Sequence, residues 1–158
     1  MALIGHQDAE NAFLESWAAG RLHHAWLLAG PQGMGKAAFA ARAARFLVTH
    51  DEGGASAAIP LDDPGDTAAD RLVAAGNHPE ILHLNRQVKD KGKDLARNIT
   101  IDQVRELKAR LHFSLSLGDW RVIIVDAIDD LEPAASNALL KTLEEPPAQT
   151  IFILISHS

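Results

Sequence analysis

The 158 residues are 47% apolar with a net charge of −6, which supplies one hydrophobic core but no bulk positive field for gripping nucleic acid. Cysteine is absent, so disulfides and thiolate zinc sites are excluded, and the eight histidines show no H-E-x-x-H spacing. Apolar runs have strand length, far short of a membrane span, and the first residues lack a basic, long-apolar leader. The expectation is one α/β domain over 1–158, cytoplasmic, with no membrane and no metal.

Ala9, Phe13 and Trp17 recur at helical spacing behind Asp8, a candidate N-cap, and Gly20 stands where a helix would end. A helix is therefore predicted over 8–19. Ala25–Ala29 reads as a strand. Phe39, Ala43, Phe46 and Leu47 mark the buried face of a second helix, 35–48. Residues 49–66 are acidic, rich in turn formers and without periodicity, which predicts a long connection, either flexible or an insertion.

A short helix is predicted at 67–75, then a turn at Asn77-His78-Pro79 and a strand over 80–84. The loop 86–97 is basic and has no aromatic residue for stacking on bases; it reads as a solvated charged loop. Thr100-Ile101-Asp102-Gln103 has the form of a capping box, and Ile101, Val104, Leu107 and Leu111 give a buried stripe for a helix over 101–112. Glu106 and Arg110 are spaced to pair on that helix. Arg121–Asp126 is a strand. Pro133 suits a helix first turn, Leu139, Leu140 and Leu143 are expected to face a core, and Pro146-Pro147 stop that helix. Ile151–Ile155 is a last, fully apolar strand. Trp17, Trp26 and Trp120 take core-like positions. Strands alternating with helices, several of them continuous β-branched runs, predict a parallel sheet with helices on both faces.

The informative stretch is Gly30-Pro31-Gln32-Gly33-Met34-Gly35-Lys36-Ala37, between a strand and a helix. It follows the phosphate-loop pattern G-x-x-x-x-G-K-[ST], with Gly30, Gly35 and Lys36 in register and Ala37 in the hydroxyl's place. Such a turn converges backbone N–H groups, Gly33 among them, on phosphate at a helix start. The missing hydroxyl is the one that ordinarily holds magnesium. Asp126 ends an apolar strand at the carboxyl edge of the sheet, where such folds bind ligands. Ala127 follows it where hydrolysing enzymes of this plan carry a glutamate. Asp129 and Asp130 are not expected to reach that position. Two catalytic groups are thus missing, and no catalytic residue is expected.

Ser136-Asn137-Ala138-Leu139-Leu140-Lys141-Thr142-Leu143-Glu144-Glu145-Pro146-Pro147 resembles the bacterial clamp-loader ATPases of the AAA+ superfamily. The likeness extends over nearly the whole chain, and Ala37 and Ala127 are similar to its delta-prime branch rather than to gamma/tau. It implies an AAA+ core with degenerate Walker motifs. Its nucleotide-site positions would be Gly30, Gly33, Gly35, Lys36, Ala37, Asp126 and the sensor-strand Ser156. It also implies a non-hydrolysing stator that needs no cofactor, although retention of Lys36 leaves binding of ATP or ADP without turnover open. The implied partners are the gamma/tau and delta subunits and, through the assembly, the sliding clamp and primed DNA. An active ATPase of gamma/tau type and a plain interaction domain are the alternatives. Against the family pattern, 49–76 lacks the four-cysteine zinc module, and the lid and collar domains, the Ser-Arg-Cys motif and the last core strand are expected to be absent. Ala25–Ala29 would then form a sheet edge.

Overall fold

Strands that are apolar at every position need cover on both faces, and that need organises the chain. The computed structural model describes residues 6–50, 59–88 and 94–158. The chain runs α1 (His6–Ala18), β1 (Ala25–Ala29), α2 (Lys36–Thr49), α3 (Thr67–Ala74), β2 (Ile81–Asn85), α4 (Ile101–Leu111), β3 (Arg121–Asp126), α5 (Pro133–Glu144) and β4 (Thr150–Ser156). A single 3-10 turn, Ile128–Asp130, links β3 to α5. The four strands form a parallel sheet in the order β1-β4-β3-β2, which places β1 at one edge and β2 at the other among the described residues.

Alternation along the central strands divides the core in two. Val122 and Ile124 of β3, with Ile151, Ile153 and Ile155 of β4, pack against Phe13 and Trp17 of α1 and Phe39, Ala43, Phe46 and Leu47 of α2. Ile123 and Val125, with Phe152 and with Leu82 and Leu84 of β2, pack against Val104 and Leu107 of α4 and Leu139 of α5. Burying a Val, Leu, Ile or Phe side chain contributes about 1.5–3 kcal/mol, so these two layers supply most of the driving force.

Local signals account for most helix ends. Thr100 Oγ1 accepts from the Gln103 N–H at 3.3 Å, and Gln103 Oε1 accepts from the Thr100 N–H at 2.9 Å, completing the capping box. α1 closes with Gly20 N–H on the Trp17 carbonyl and Arg21 N–H on the Ser16 carbonyl, at 3.0 and 2.9 Å.

Several expectations are corrected. Helix α1 already includes His6, so Asp8 lies within its first turn rather than at its N-cap. Leu140 is 53% exposed, because it sits about 100° round the helix from the buried Leu139. Of the tryptophans, only Trp17 is buried; Trp26 and Trp120 are half-buried. Arg110 donates to the Pro79 carbonyl at 3.4 Å rather than to Glu106. Glu80 lies just before β2, and there it pairs with Arg121 across buried space, Nε to Oε1 3.1 Å.

The predicted connection 49–66 is described only in part, since 51–58 lie outside the described residues. Its second part is pinned to α2. Leu61 is buried in the first core layer, Arg45 donates to the carbonyls of Leu61 and Asp63, and the His50 ring meets Asp63 at 2.7 Å. Of the basic loop, Lys89, Lys91 and Lys93 lie outside the described residues. Its flanks pair as a short antiparallel bridge, Val88 with Leu95.

Candidate nucleotide site

Parallel strands end together, so whatever follows them shares one edge of the sheet. The residues after β1, β2, β3 and β4 here surround an open cleft of about 720 Å³, with Ala37, Arg86, Asp126, Asp129, Asp130 and His157 on its walls. Gln32, Asn85 and Leu95 complete the lining.

The loop after β1 has the curvature its glycines permit. Gly33 and Gly35 adopt φ of 89° and 78°, a region L side chains rarely enter. A Cβ on Gly30 would meet Met34 Sδ at 3.0 Å. Gly35 is the N-cap of α2 and supplies no side-chain cap, so the first amides of the helix carry its positive end without a partner from that residue. Gly30 N–H donates to the Ser156 carbonyl at 3.1 Å, which ties the loop to β4.

Lys36 does not extend into the cleft. Only 2% of it is exposed, and its Nζ donates to the carbonyls of Gly30 and, at 3.0 Å, Pro31. The ammonium thus neutralises the inside of its own loop. Ala37 does line the cleft, but with a methyl group.

On the opposite wall Asp126 is half-buried, and His157 Nε2 stands 3.3 Å from its Oδ1. Ser156, buried at the end of β4, donates through Oγ to Asp129 Oδ1 at 2.8 Å, and the His157 N–H donates to Asp129 Oδ2 at 2.9 Å. Desolvation would raise the Asp129 carboxyl, but these two donors outweigh it and hold the group below the usual carboxylate range. Asp130 accepts from the Ala127 N–H at 3.4 Å and lies 3.6 Å from Arg86 Nε.

Ala37 and Asp126 line one cleft, and Gly30 and Ser156 are bonded to each other. Gly33 and Gly35 shape the turn and Lys36 is held within it. Asp129 and Asp130, carried by the 3-10 turn, also line the cleft. Arg86 and His157 were also outside the predicted site. The signal that finds them is position, since each follows a strand at the carboxyl edge. Among the described residues no cluster of three or more His, Asp or Glu is arranged to hold a metal ion.

The residues present do not fit a magnesium–nucleotide centre. Backbone amides at the start of α2 suit a phosphate, yet no hydroxyl stands at position 37 and the ammonium of Lys36 is committed to two carbonyls. Three carboxylates also face the cleft against one guanidinium, a balance that opposes a polyanion.

Comparison with known proteins agrees with this architecture. The family described as "DNA polymerase III, delta subunit" matches residues 5–158. This chain belongs to the DNA polymerase III clamp-loader family, homologous to the N-terminal region of its delta-prime, tau and gamma subunits. The subunit delta' of Pseudomonas aeruginosa is 37% identical over 134 residues, 85% of this chain and 37% of that protein. The subunit tau of Bacillus subtilis is 32% identical over 92% of this chain and 22% of its own length. The chain thus spans well under half of these relatives.

In three dimensions a DNA polymerase III gamma subunit-related protein from Thermotoga maritima superposes with a TM-score of 0.59 at 18% identity, over 94% of this chain and 38% of that one. That likeness concerns the fold, an α/β domain with a parallel sheet and flanking helices. No described helix of this clamp-loader homologue is long and apolar enough to cross a membrane.

Proposed function

We propose that this chain serves as the non-hydrolysing, delta-prime-type stator of a bacterial clamp loader, working in the cytoplasm. In that role it organises gamma/tau and delta subunits into the pentamer that loads the sliding clamp on primed DNA. The observation carrying the reading is the pair Ala37 and Ala127. A methyl faces the cleft where a magnesium-binding hydroxyl would stand, and the side chain following Asp126 is another methyl, 1% exposed. Losing one well-placed charge-stabilising group typically lowers a rate by about two to three orders of magnitude, so losing two leaves little turnover. The degenerate site keeps Gly30, Gly33, Gly35 and Lys36 because they hold the loop's shape. Assembly requires neither ATP nor ADP at this subunit.

The second reading, an active ATPase of gamma/tau type, draws on the retained Lys36 and on Asp126 at the cleft. Phosphate release with ATP and magnesium distinguishes the two. The stator reading expects background release, together with co-purification of gamma/tau and delta subunits in a pull-down. Magnesium-dependent turnover that disappears in Lys36→Ala would establish the ATPase instead.

A further inference from the structure

We propose that the strap 59–66 carries a proton-operated latch where it turns into α3: the turn stays docked on α2 while the His50 ring is doubly protonated and loosens when the ring loses one proton. None of the latch groups lines the cleft at the carboxyl edge, so the device stands apart from the clamp-loading role.

His50 is the C-cap of α2, one helical turn beyond Phe46, and its backbone is already extended. The ring lies back on Phe46, with centroids 4.1 Å apart and planes 18° from parallel. Only 8% of the side chain is exposed. In that position both ring nitrogens meet oxygen. Nδ1 is 2.9 Å from the Phe46 carbonyl and 3.1 Å from Thr49 Oγ1, and Nε2 is 2.7 Å from Asp63 Oδ2.

A carbonyl and an ionised carboxylate accept hydrogen bonds and cannot donate them. The Asp63 carboxyl is held below the usual carboxylate range, because the His50 bond, helped by the Gly65 N–H, outweighs desolvation. Each neutral tautomer of the ring therefore turns a bare lone pair toward an oxygen, at 2.7 Å on one side or 2.9 Å on the other. The Thr49 hydroxyl gives no relief, since it donates to the Arg45 carbonyl at 2.7 Å. The imidazolium form donates on both sides, and its charge over the Phe46 face is a favourable cation–π placement.

The other anchors of the strap are carboxylate–guanidinium pairs and backbone bonds. Arg42 pairs with Asp62 at 2.9 Å; Arg45 donates to the Leu61, Asp63 and Pro64 carbonyls and pairs with Asp70 of α3. α1 brings only the Trp17 ring to His50. Asp66 caps α3 by accepting the Ala69 N–H, and its own N–H donates to the Thr49 carbonyl at 2.7 Å. Of these charged groups Asp63 alone touches the ring. The turn packs close, since a Cβ on Gly65 would come within 2.8 Å of His50 Cε1. Loss of the ring proton thus loosens Gly65-Asp66, the entry to α3, while the two arginines keep Leu61 buried. Docking and protonation favour one another, so the latch is closed at the lower pH and opens as pH rises and the ring gives up its proton.

NMR of the whole chain at about pH 6 and about pH 9, toward either side of the range in which histidines change charge, tests the assignment. Long-range ¹H–¹⁵N spectra should show hydrogen on both His50 nitrogens at the lower pH and on one at the higher. Exchange of the Asp66 N–H, divided by the rate for an unstructured peptide at the same pH, should be about tenfold faster at the higher pH, the loss expected for one charge-assisted hydrogen bond. His50→Phe keeps the stack but has no nitrogen, and should make the corrected rate the same at both pH values. Asp63→Asn, at a half-buried position, offers a neutral ring either a donor or an acceptor and gives the same readout if the first variant fails to fold. The proposal is overturned if only one His50 nitrogen carries hydrogen at the lower pH, if the corrected exchange rate does not change with pH, or if the tenfold difference survives in either variant.

Discussion

The two ends of the sheet carry charge in opposite ways. At the amino ends of β2 and β3, Glu80 and Arg121 are sealed from water and satisfy one another and the loop beside them. Glu80 accepts the Ser116 N–H at 2.5 Å and its hydroxyl at 3.1 Å, while Arg121 Nη2 donates to the Phe113 carbonyl at 2.9 Å. At the carboxyl ends, Asp126, Asp129, Asp130 and Arg86 sit half-buried or exposed around an open cleft, with partners that water can replace. The first arrangement is a clasp that holds a loop to the core. The second is an open cleft at the carboxyl edge, where three carboxylates face one guanidinium and a histidine. The contrast shows where charge is built into the core and where it is left to solvent.

The largest effect should come from breaking the clasp. Arg121→Met leaves the Glu80 carboxylate buried without its counter-charge and should cost about 3–5 kcal/mol in urea denaturation. The double variant Glu80→Leu with Arg121→Met should recover most of that loss, because two apolar groups need no mutual solvation. If the double variant is as damaged as the single one, the pair acts through the loop's backbone rather than through charge.

A second, smaller effect is pH-linked. Burial pushes the Glu80 carboxyl upward, but the Ser116 N–H and the Arg121 guanidinium outweigh burial and hold it below its ordinary 4.5. The unfolded chain therefore takes up this proton first as pH falls. The stability Glu80 contributes is complete above about 4.5 and is lost as pH drops through the folded-state value. Glu80→Gln should be less stable at neutral pH and lose less on acidification, seen as a flatter acid limb in urea midpoints. An unchanged acid limb would mean that the cleft carboxylates, not the clasp, govern acid unfolding.

How far the sequence displays these two ends differs for the same reason. The capping box at Thr100 and Gln103 and the strand Arg121–Asp126 are written in adjacent residues, and each forms where the pattern places it. The phosphate-loop glycines are equally local. The clasp is not, since Glu80 and Arg121 are 41 positions apart and meet only because β2 and β3 pair in register. Asp129 escapes for a related reason. Its role depends on a 3-10 turn carrying it to Ser156, 27 residues away, and no periodicity announces that return. Leu140 shows the opposite failure: an apolar residue one step off the stripe looks like core until the helix face is fixed by packing.

The smallest effect should lie at Asp129, and it is the sharpest check on the contrast. Asp129→Ala removes the acceptor for Ser156 Oγ and for the His157 N–H, two bonds as short as those of the clasp. Distance alone would then forecast a comparable loss. Solvent access forecasts otherwise: Asp129 is exposed, so water can take its place at the His157 amide, and Ser156 Oγ retains a contact with Ser158 Oγ at 3.0 Å. The expected cost is about 1 kcal/mol, within the usual range for a replaceable hydrogen bond and several-fold below that of Arg121→Met. Urea midpoints of the two variants, measured side by side, decide it. Equal losses would make the cleft a structural clasp in its own right, and the distinction between the two ends of the sheet would fail.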